Sequence, residues 1–191
     1  KTGTMPNDQL KIRLEKWSRL KAWLRDGAQG IFDSNEGIAS CVCDAVPVMD
    51  RLRMLGRYLI VSLAHHIPIS PVKVWLLRRI GVNIGRDVYI SPGVVFDPLF
   101  PELITIEDGV LLGLCCRLIT HEYTTKNFRL GRIHIGRDSV IGGWAMVRSG
   151  VRVGAGVTVG AGCFVYKDVP DGATVVSVPG RLLHNKTEPG A

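Results

Sequence analysis

His121 stands at the point where a regular six-residue repeat is interrupted. Aliphatic residues recur at every sixth position on either side of it, but the stretch EYTTKNFRLGR that follows it does not keep this spacing. Imidazole accepts a proton near neutral pH, so a histidine beside an inserted loop is a candidate general base. A lone histidine is more often structural, and we expect packing or solvation for His65, His66 and His134.

The cysteines are the other reactive side chains, and their pattern argues against a disulfide framework. The five cysteines include no Cys-x-x-Cys pair, and an odd count without an apolar leader at the start of the sequence does not suit disulfide pairing. We therefore expect reduced thiols in a cytoplasmic protein. Their spacing does not suit a metal site, and we expect the adjacent Cys115 and Cys116 to be packing residues.

The interrupted repeat has a strict pattern. From Ile135 the chain divides into IGRDSV, IGGWAM, VRSGVR, VGAGVT, VGAGCF and VYKDVP, with Ile or Val first and a small or β-branched residue fifth. This period predicts a mainly β fold over residues 80–183, a parallel β-helix with three sides to a coil of about 18 residues. Cys116 and Cys163 fall at the fifth place, where the corner needs a small side chain. Glycine at the second place is expected to permit unusual backbone angles.

Four coils follow from the spacing of the first-place residues. They are Ile84, Ile90 and Phe96; Ile106, Leu112 and Leu118; Ile135, Ile141 and Val147; and Val153, Val159 and Val165. The spacing departs from six only between 96 and 106 and between 118 and 135, each time after the third side of a coil. Both insertions, including a projecting loop near residues 122–132, should therefore emerge from one edge of the prism, where a rigid scaffold can carry a binding site.

Residues 1–79 lie outside the repeat and carry most of the positive charge. They hold 13 Lys and Arg against 7 Asp and Glu, whereas residues 80–191 hold 11 against 10. An anionic partner is therefore expected at the N-terminal part. Charge alone gives no reason to expect nucleic-acid binding.

The N-terminal part is predicted to form helices that cap the β-helix. The predicted helices begin at Asn7 or Asp8 and end at Gly27, cover residues 48–67, and run from a Ser70 cap to near Gly81, with residues 28–45 as a connector. The last helix should cover the open end of the prism. Residues 184–191 are expected to form a C-terminal tail.

The first helix has an apolar stripe on an otherwise basic surface. The stripe consists of Leu10, Leu14, Trp17 and Leu24. A basic amphipathic helix can lie on an anionic membrane, which would place the protein peripherally at the inner face of the membrane. The alternative, which we favour, is that the stripe packs on the prism or on a neighbouring subunit.

Residues 80–183 resemble the hexapeptide-repeat acyltransferases, in the branch of the galactoside, maltose and nodulation-sugar O-acetyltransferases and polysaccharide acetyltransferases. The resemblance rests on the hexads, on LITHEY ahead of an extended loop, and on the ending VYKDVPDGATVVSVPGRLL. It implies a left-handed parallel β-helix, a homotrimer, and an acetyl group taken from acetyl-CoA at a cleft between subunits. The implied reaction is O-acetylation of a sugar or polysaccharide precursor, and no metal is required.

The resemblance also assigns roles on the acceptor side of the site. His121 matches the family's catalytic histidine, which acts as general base on the acceptor hydroxyl. Asp97 lies where the family keeps an acidic residue that hydrogen-bonds the acceptor. Glu122 is placed beside them, where it either orients His121 or, as its immediate neighbour, turns away from it.

On the coenzyme side, the resemblance places five residues along the acetyl-CoA groove. Gly143 and Ala161 are expected to meet the pantetheine arm through their backbone, and Trp144 to flank the thioester. Lys167 and Arg181 match basic positions near the nucleotide phosphates. Their alternative role is plain surface charge.

Other functions stay open. An amino-sugar N-acyltransferase is the nearest, because the same base can serve an amine, and a non-catalytic β-helix scaffold subunit is another. A zinc hydratase on the same helix would need three histidines, whereas the prism offers only His121 and His134.

Overall fold

The computed structural model describes residues 7–34, 48–123 and 127–177. Three helices, α1 (Asn7–Arg25), α2 (Val48–His66) and α3 (Ser70–Arg79), precede the repeats, and a 3-10 turn covers Pro101–Leu103. The described strands, in chain order, are β1 (Ile31–Ser34), β2 (Asn83–Ile84), β3 (Tyr89–Ile90), β4 (Val95–Phe96), β5 (Ile104–Ile106), β6 (Leu111–Leu112), β7 (Arg117–Leu118), β8 (His121–Tyr123), β9 (Phe128–Gly131), β10 (Ile133–Ile135), β11 (Val140–Ile141), β12 (Met146–Val147), β13 (Arg152–Val153), β14 (Thr158–Val159), β15 (Phe164–Val165) and β16 (Thr174–Val175).

Most of these strands stack in parallel into the three faces of a prism. The first face has the order β2-β5-β10-β13, the second β3-β6-β11-β14-β16, and the third β4-β7-β12-β15. On the first face the register pairs Ile84 with Ile106, Ile106 with Ile135, and Ile135 with Val153. The predicted three-sided parallel β-helix and its coil assignment are confirmed. Part of a fifth coil follows, because Val175 pairs with Val159 on the second face.

The interior of the prism is a continuous aliphatic column. First-place side chains such as Leu112 and Ile135 are fully buried, and each buried aliphatic side chain stabilises the fold by about 1.5–3 kcal/mol. The fifth-place Cys116 and Cys163 are buried as expected. Burial raises the pKa of the Cys116 thiol to about 12, with the neighbouring Cys115 adding to the shift. Cys116 is therefore a packing residue rather than a nucleophile.

The second-place glycines are needed for close stacking, not for unusual backbone angles. A Cβ on Gly142 would lie 2.6 Å from the backbone nitrogen of Ala161 in the next coil, and one on Gly113 would lie 2.6 Å from the nitrogen of Gly143. Left-handed backbone angles occur two places later, as at Gly162 with φ of 69°. The expectation about second-place angles was wrong, because the stacking distance between coils is what excludes a side chain there.

Helix α3 packs onto the first coil. Leu77 and Val74 are buried within the same apolar cluster as the first-coil side chain Ile90. Ser70 differs from its predicted role as N-cap, since the capping position is Ile69 and has no side-chain bond. The Ser70 hydroxyl instead accepts a hydrogen bond from the backbone nitrogen of Ile90 at 2.9 Å, which ties the helix to the coil.

A second apolar cluster lies outside the prism and joins α1 to both insertions. Its buried members are Leu20, Ala28, Phe100, Leu103, Phe128 and Leu130, with Trp17, Trp23, Leu24, Phe32 and Leu99 packed against them. The α1 side chains in this cluster, including Trp17 and Leu24 of the proposed stripe, are used in packing, which supports the favoured alternative. None of the helices in the described part of the chain combines the length and hydropathy that crossing a bilayer requires.

The insertion after His121 is a β-hairpin with a third strand on its outer edge. Strands β8 and β9 pair antiparallel, and β1 pairs antiparallel with the other side of β9. The predicted connector over residues 28–45 therefore contains a strand. The sequence IFDS of β1 is too short to show a period of its own, so only its pairing with β9 reveals it.

Candidate active site

Coil stacking brings three segments to one edge of the prism. Phe96, Leu118 and Val147 stand in register on the third face, and the chain turns toward the first face directly after each of them. The residues that follow them therefore meet at one edge. They are residue 97, residues 120–122 and residues 148–149.

At this edge the imidazole of His121 is held by a buried carboxylate. The Nδ1 atom of His121 is hydrogen-bonded to Oδ2 of Asp97. The same Oδ2 accepts hydrogen bonds from the backbone nitrogen of Thr120 at 3.0 Å and from its hydroxyl at 2.6 Å. The other oxygen, Oδ1, accepts one from the nitrogen of Leu99 at 2.9 Å. Asp97 has no solvent exposure, so these protein donors supply all its partners.

The ionisation of Asp97 decides which nitrogen of His121 can act as a base. Burial alone would raise the pKa of Asp97, but the hydrogen bond and attraction of His121, with the bonds from Thr120 and Leu99, hold it below its ordinary value. An ionised carboxylate only accepts hydrogen bonds, so we assign the donor hydrogen to Nδ1 of His121. The Nε2 atom of the neutral imidazole is then left to accept a proton.

Aromatic rings flank the imidazole. The ring of Tyr123 lies 5.0 Å from that of His121 and the ring of Phe100 lies 6.2 Å from it, both at steep angles. The side chain of His121 keeps 18% of its surface exposed, so a substrate can reach it.

The structure shows what the two predicted acceptor-side carboxylates contact. Asp97 was expected to hydrogen-bond the acceptor, but it is fully buried and bonded to His121, so it orients the imidazole. Glu122 was expected to orient His121 or turn away. Its hydrogen bonds go to Arg148 and Ser149, because the alternation of side chains along β8 points it away from the imidazole.

Glu122 fastens the hairpin to the third coil. Its carboxylate accepts three hydrogen bonds from the Arg148 guanidinium, at 2.7 to 2.9 Å, and one from the Ser149 hydroxyl at 2.7 Å. Burial would raise the pKa of Glu122, but these bonds and the nearby Arg129 lower it, and the bond to Glu122 raises the pKa of Arg148. Strand β8 is thereby fixed in place at Glu122, the residue next to His121.

The residues predicted for acetyl-CoA lie mostly at another edge. Gly143 and Trp144 form the turn between the second and third faces, and Ala161 lies in the same turn one coil later. Ala161 is exposed, and Trp144 exposes 65% of its surface. Exposed Lys167 follows β15 at the edge that also carries His121, two coils away. Arg181 lies outside the described residues.

Several residues that complete the site were not predicted from the sequence. Thr120, Arg148 and Ser149 hold the two carboxylates, and Phe100 packs beside the imidazole. The coil register does contain a signal for Arg148, since it directly follows the residue paired with Leu118. The register alone does not show which side chains turn toward one another.

Comparison with known proteins places the chain in a family. The family described as bacterial transferase hexapeptide (six repeats) matches residues 132–167. The "Putative acetyltransferase YvoF" of Bacillus subtilis is 32% identical over 138 residues, which cover 72% of this chain and 80% of that protein. The part matched by this relative is thus much longer than the part matched by the family model.

Solved structures share the fold at lower identity. The hexapeptide-repeat acetyltransferase VCA0836 of Vibrio cholerae, complexed with acetyl-CoA, matches with a TM-score of 0.60 and 22% identity over 76% of this chain and 93% of that one. A galactoside acetyltransferase in complex with coenzyme A matches with a TM-score of 0.51 and 18% identity over 73% and 83%. The prism is thus a left-handed β-helix, and the chain belongs to the hexapeptide-repeat acetyltransferase family.

Proposed function

We propose that this protein is an acetyl-CoA-dependent O-acetyltransferase that acts on a hydroxyl of a sugar or polysaccharide precursor. The observation that carries the proposal is the contact of His121 with the buried Asp97 at the edge where both insertions emerge. Membership of an acetyltransferase family supplies the reaction class. A place in polysaccharide biosynthesis is part of the proposal.

The proposed reaction uses His121 as general base. Its Nε2 atom takes the proton of the acceptor hydroxyl as the oxygen attacks the carbonyl carbon of the thioester. The tetrahedral intermediate then breaks its carbon–sulfur bond, and the imidazolium returns the proton to the departing thiolate. Asp97 stabilises the imidazolium and keeps its direction, as a buried carboxylate does in a catalytic triad. The products are an acetyl ester and free CoA.

The residues at the second edge fit the acetyl-CoA arm. Gly143 and Ala161 add no bulk, and the exposed Trp144 beside them offers a flat apolar surface. From the edge that carries His121, Lys167 supplies an exposed positive charge for a phosphate, and Arg181 is proposed for the same role. The two relatives that were solved with acetyl-CoA or CoA support this use of the fold.

We infer a homotrimer whose active sites lie between subunits. Gly143 and Ala161 lie at one edge of the third face, whereas His121 lies at the other. A neighbouring copy that packs on this face can bring its own edge to His121, and a cyclic trimer repeats that contact three times. The base of one subunit would then face the acetyl-CoA held with its neighbour.

Release of free thiol from acetyl-CoA in the presence of a sugar panel tests the function. We expect release that depends on an acceptor, and His121→Ala should reduce kcat by about 10²–10⁴-fold. The matched control is His134→Ala, which removes the other histidine of the prism; its side chain is bonded to Glu107 on the first face. Acceptor-dependent release that survives in His121→Ala, or no release with any acceptor, would contradict the proposal.

A further inference from the structure

A cavity of about 420 Å³ lies beside the His121 site and is used by none of the chemistry above. It is bordered by α1, α2 and the first insertion and is open to solvent on one side. Its size is within the range of sites for small ligands. Residues from three separate elements line it, so it exists only in the folded chain.

One wall of the cavity also borders the side chains of Asp97 and His121. Leu99 and Phe100 line it from the insertion. The nitrogen of Leu99 donates to Asp97, and the ring of Phe100 lies against that of His121. A group bound against this wall of the cavity is separated from the imidazole by the ring of Phe100.

The lining of the cavity carries an excess of positive charge. Lys21, Arg25, Arg53 and Arg57 line it together with the carboxylates of Asp50 and Glu102. Lys21 pairs with Asp50 at 2.5 Å and Arg57 with Glu102 at 3.1 Å, so both carboxylates are already in ion pairs.

Two of the arginines that line the cavity are available to bind a ligand. Within the described residues, neither Arg25 nor Arg53 forms a direct ion pair, although Nε of Arg25 donates to the carbonyl of Lys21 at 3.4 Å and the charge of Arg53 helps to lower the pKa of Asp50. Guanidinium groups bind phosphate and carboxylate in a planar, two-point arrangement. Trp17, Leu24 and Met54 provide apolar surface beside them, of the kind that packs against the carbon–hydrogen face of a sugar ring.

We propose that the cavity binds the acidic group of the acceptor, so that the substrate class is an anionic saccharide carrying a phosphate or a carboxylate. This inference rests on the proposed acetyltransferase function. The acidic group binds between Arg25 and Arg53 while the sugar hydroxyl is presented to His121. The basic N-terminal helices thereby select the acceptor, whereas the prism performs the transfer.

Steady-state thiol release with matched acceptors tests the proposal. Hexoses are compared with the corresponding hexose 1-phosphates and hexuronates, which separates phosphate from carboxylate as the recognised group. We expect KM to be about tenfold lower for at least one acidic series, because charge-assisted hydrogen bonds are lost with the neutral sugar. Equal KM values for neutral and acidic acceptors would overturn the proposal.

Variants of the two arginines assign the effect to the cavity. Arg25→Gln and Arg53→Gln should each raise KM for the preferred acidic acceptor by about tenfold and leave kcat and the KM of acetyl-CoA unchanged. The control is Arg19→Gln, which changes an exposed arginine of the same helix that does not line the cavity. An equal effect of Arg19→Gln would overturn the assignment.

Direct binding keeps this proposal separate from the acetyltransferase function. Calorimetric titration of the full chain with the same hexose 1-phosphates and hexuronates needs no turnover. If no acceptor supports thiol release but an acidic sugar binds and Arg25→Gln with Arg53→Gln abolishes binding, the cavity proposal holds while the transferase function fails. Absence of binding by any acidic sugar to the unmodified protein would overturn the cavity proposal.

Discussion

Asp97 and His121 show how a buried carboxylate sets the orientation of an imidazole. The carboxylate is surrounded by donors from Leu99, Thr120 and His121 and has no access to water. A group in that environment cannot rotate or change partners without leaving a buried polar atom unsatisfied. The imidazole is therefore held through Nδ1 before any substrate arrives.

Asp97→Asn is expected to disable the base while keeping its shape. The new amide group can donate to Nδ1 of His121, which places the ring hydrogen on Nε2 and removes the proton acceptor. We expect kcat to fall by about 10²–10⁴-fold, as for a triad that loses its carboxylate. Thiol release measures kcat, and the KM of acetyl-CoA should not change.

Thr120→Val is the matched control for Asp97→Asn. It removes the hydroxyl donor to the same carboxylate but leaves the acceptor for Nδ1 in place. We expect a loss of about 1 kcal/mol in the free energy of unfolding and little change in kcat. A loss of kcat equal to that of Asp97→Asn would mean that the carboxylate acts through packing and not through the tautomer.

At the scale of elements, the hairpin β8–β9 is held from two sides. Strand β1 pairs with its outer edge, and Glu122 fastens it to Arg148 and Ser149 of the third coil. One contact comes from the N-terminal part and the other from the next coil, so the position of the hairpin depends on both.

Glu122→Gln is expected to loosen the hairpin in a pH-dependent way. Because folding lowers the pKa of Glu122, its stabilisation is present above the ordinary value of 4.5 and is lost as the pH falls through the lowered value. The partly exposed pair should contribute about 1 kcal/mol at neutral pH. Urea unfolding should show this difference between variant and unmodified protein at pH 7, and it should vanish in acid.

Arg148→Met removes the other member of the ion pair, so it can be combined with Glu122→Gln in a double-mutant cycle. If the ion pair is responsible, Glu122→Gln should add almost nothing to the loss that Arg148→Met already causes. If the losses in the free energy of unfolding were additive, or if the difference persisted below the lowered pKa of Glu122, the ion pair between Glu122 and Arg148 would not be what holds the hairpin.

The stacking glycines give a second prediction at the element scale. Gly142→Ala would place a methyl group 2.6 Å from the backbone of Ala161, and backbone cannot move away as a flexible side chain can. We expect a loss of about 1–3 kcal/mol, seen as a lower Tm. The control is Gly56→Ala, in α2 with open space around it, which should raise stability by about 0.5–1 kcal/mol. A Tm that is unchanged in Gly142→Ala would contradict close coil packing.

At the scale of the whole molecule, the site is proposed to lie between copies of the chain. Light scattering should give three chains per particle. His121→Ala lacks the base, whereas Ala161→Trp fills the acetyl-CoA edge, so each alone should be inactive. Mixed trimers are prepared by refolding or expressing the two variants together. If subunits mix at random, about a quarter of the interfaces combine the intact base of an Ala161→Trp subunit with the intact edge of a His121→Ala neighbour. Thiol release by the mixture should recover to about that fraction.

The same mixing experiment can contradict a site that is shared between subunits. If base and groove belong to the same subunit, no mixture of the two variants contains a complete site, and activity stays absent. A particle with a single chain and full activity would contradict both the trimer and the shared site.

The sequence by itself determined the prism. A six-residue period with aliphatic first places leaves one way to bury the side chains, so the coil register and the edge carrying both insertions follow from the period alone. The sequence also singled out His121, because the repeat breaks beside it.

The tertiary structure alone decided which groups meet at that edge. Side chains that are distant in the chain meet in three places. These are the contact of Asp97 with His121, the hydrogen bonds of Glu122 with Arg148 and Ser149, and the cavity between α1 and α2. These depend on side-chain direction and on the packing of irregular segments, neither of which follows a period. Strand β1 could not be predicted for the same reason, since its pairing partner, and not its own four residues, makes it a strand.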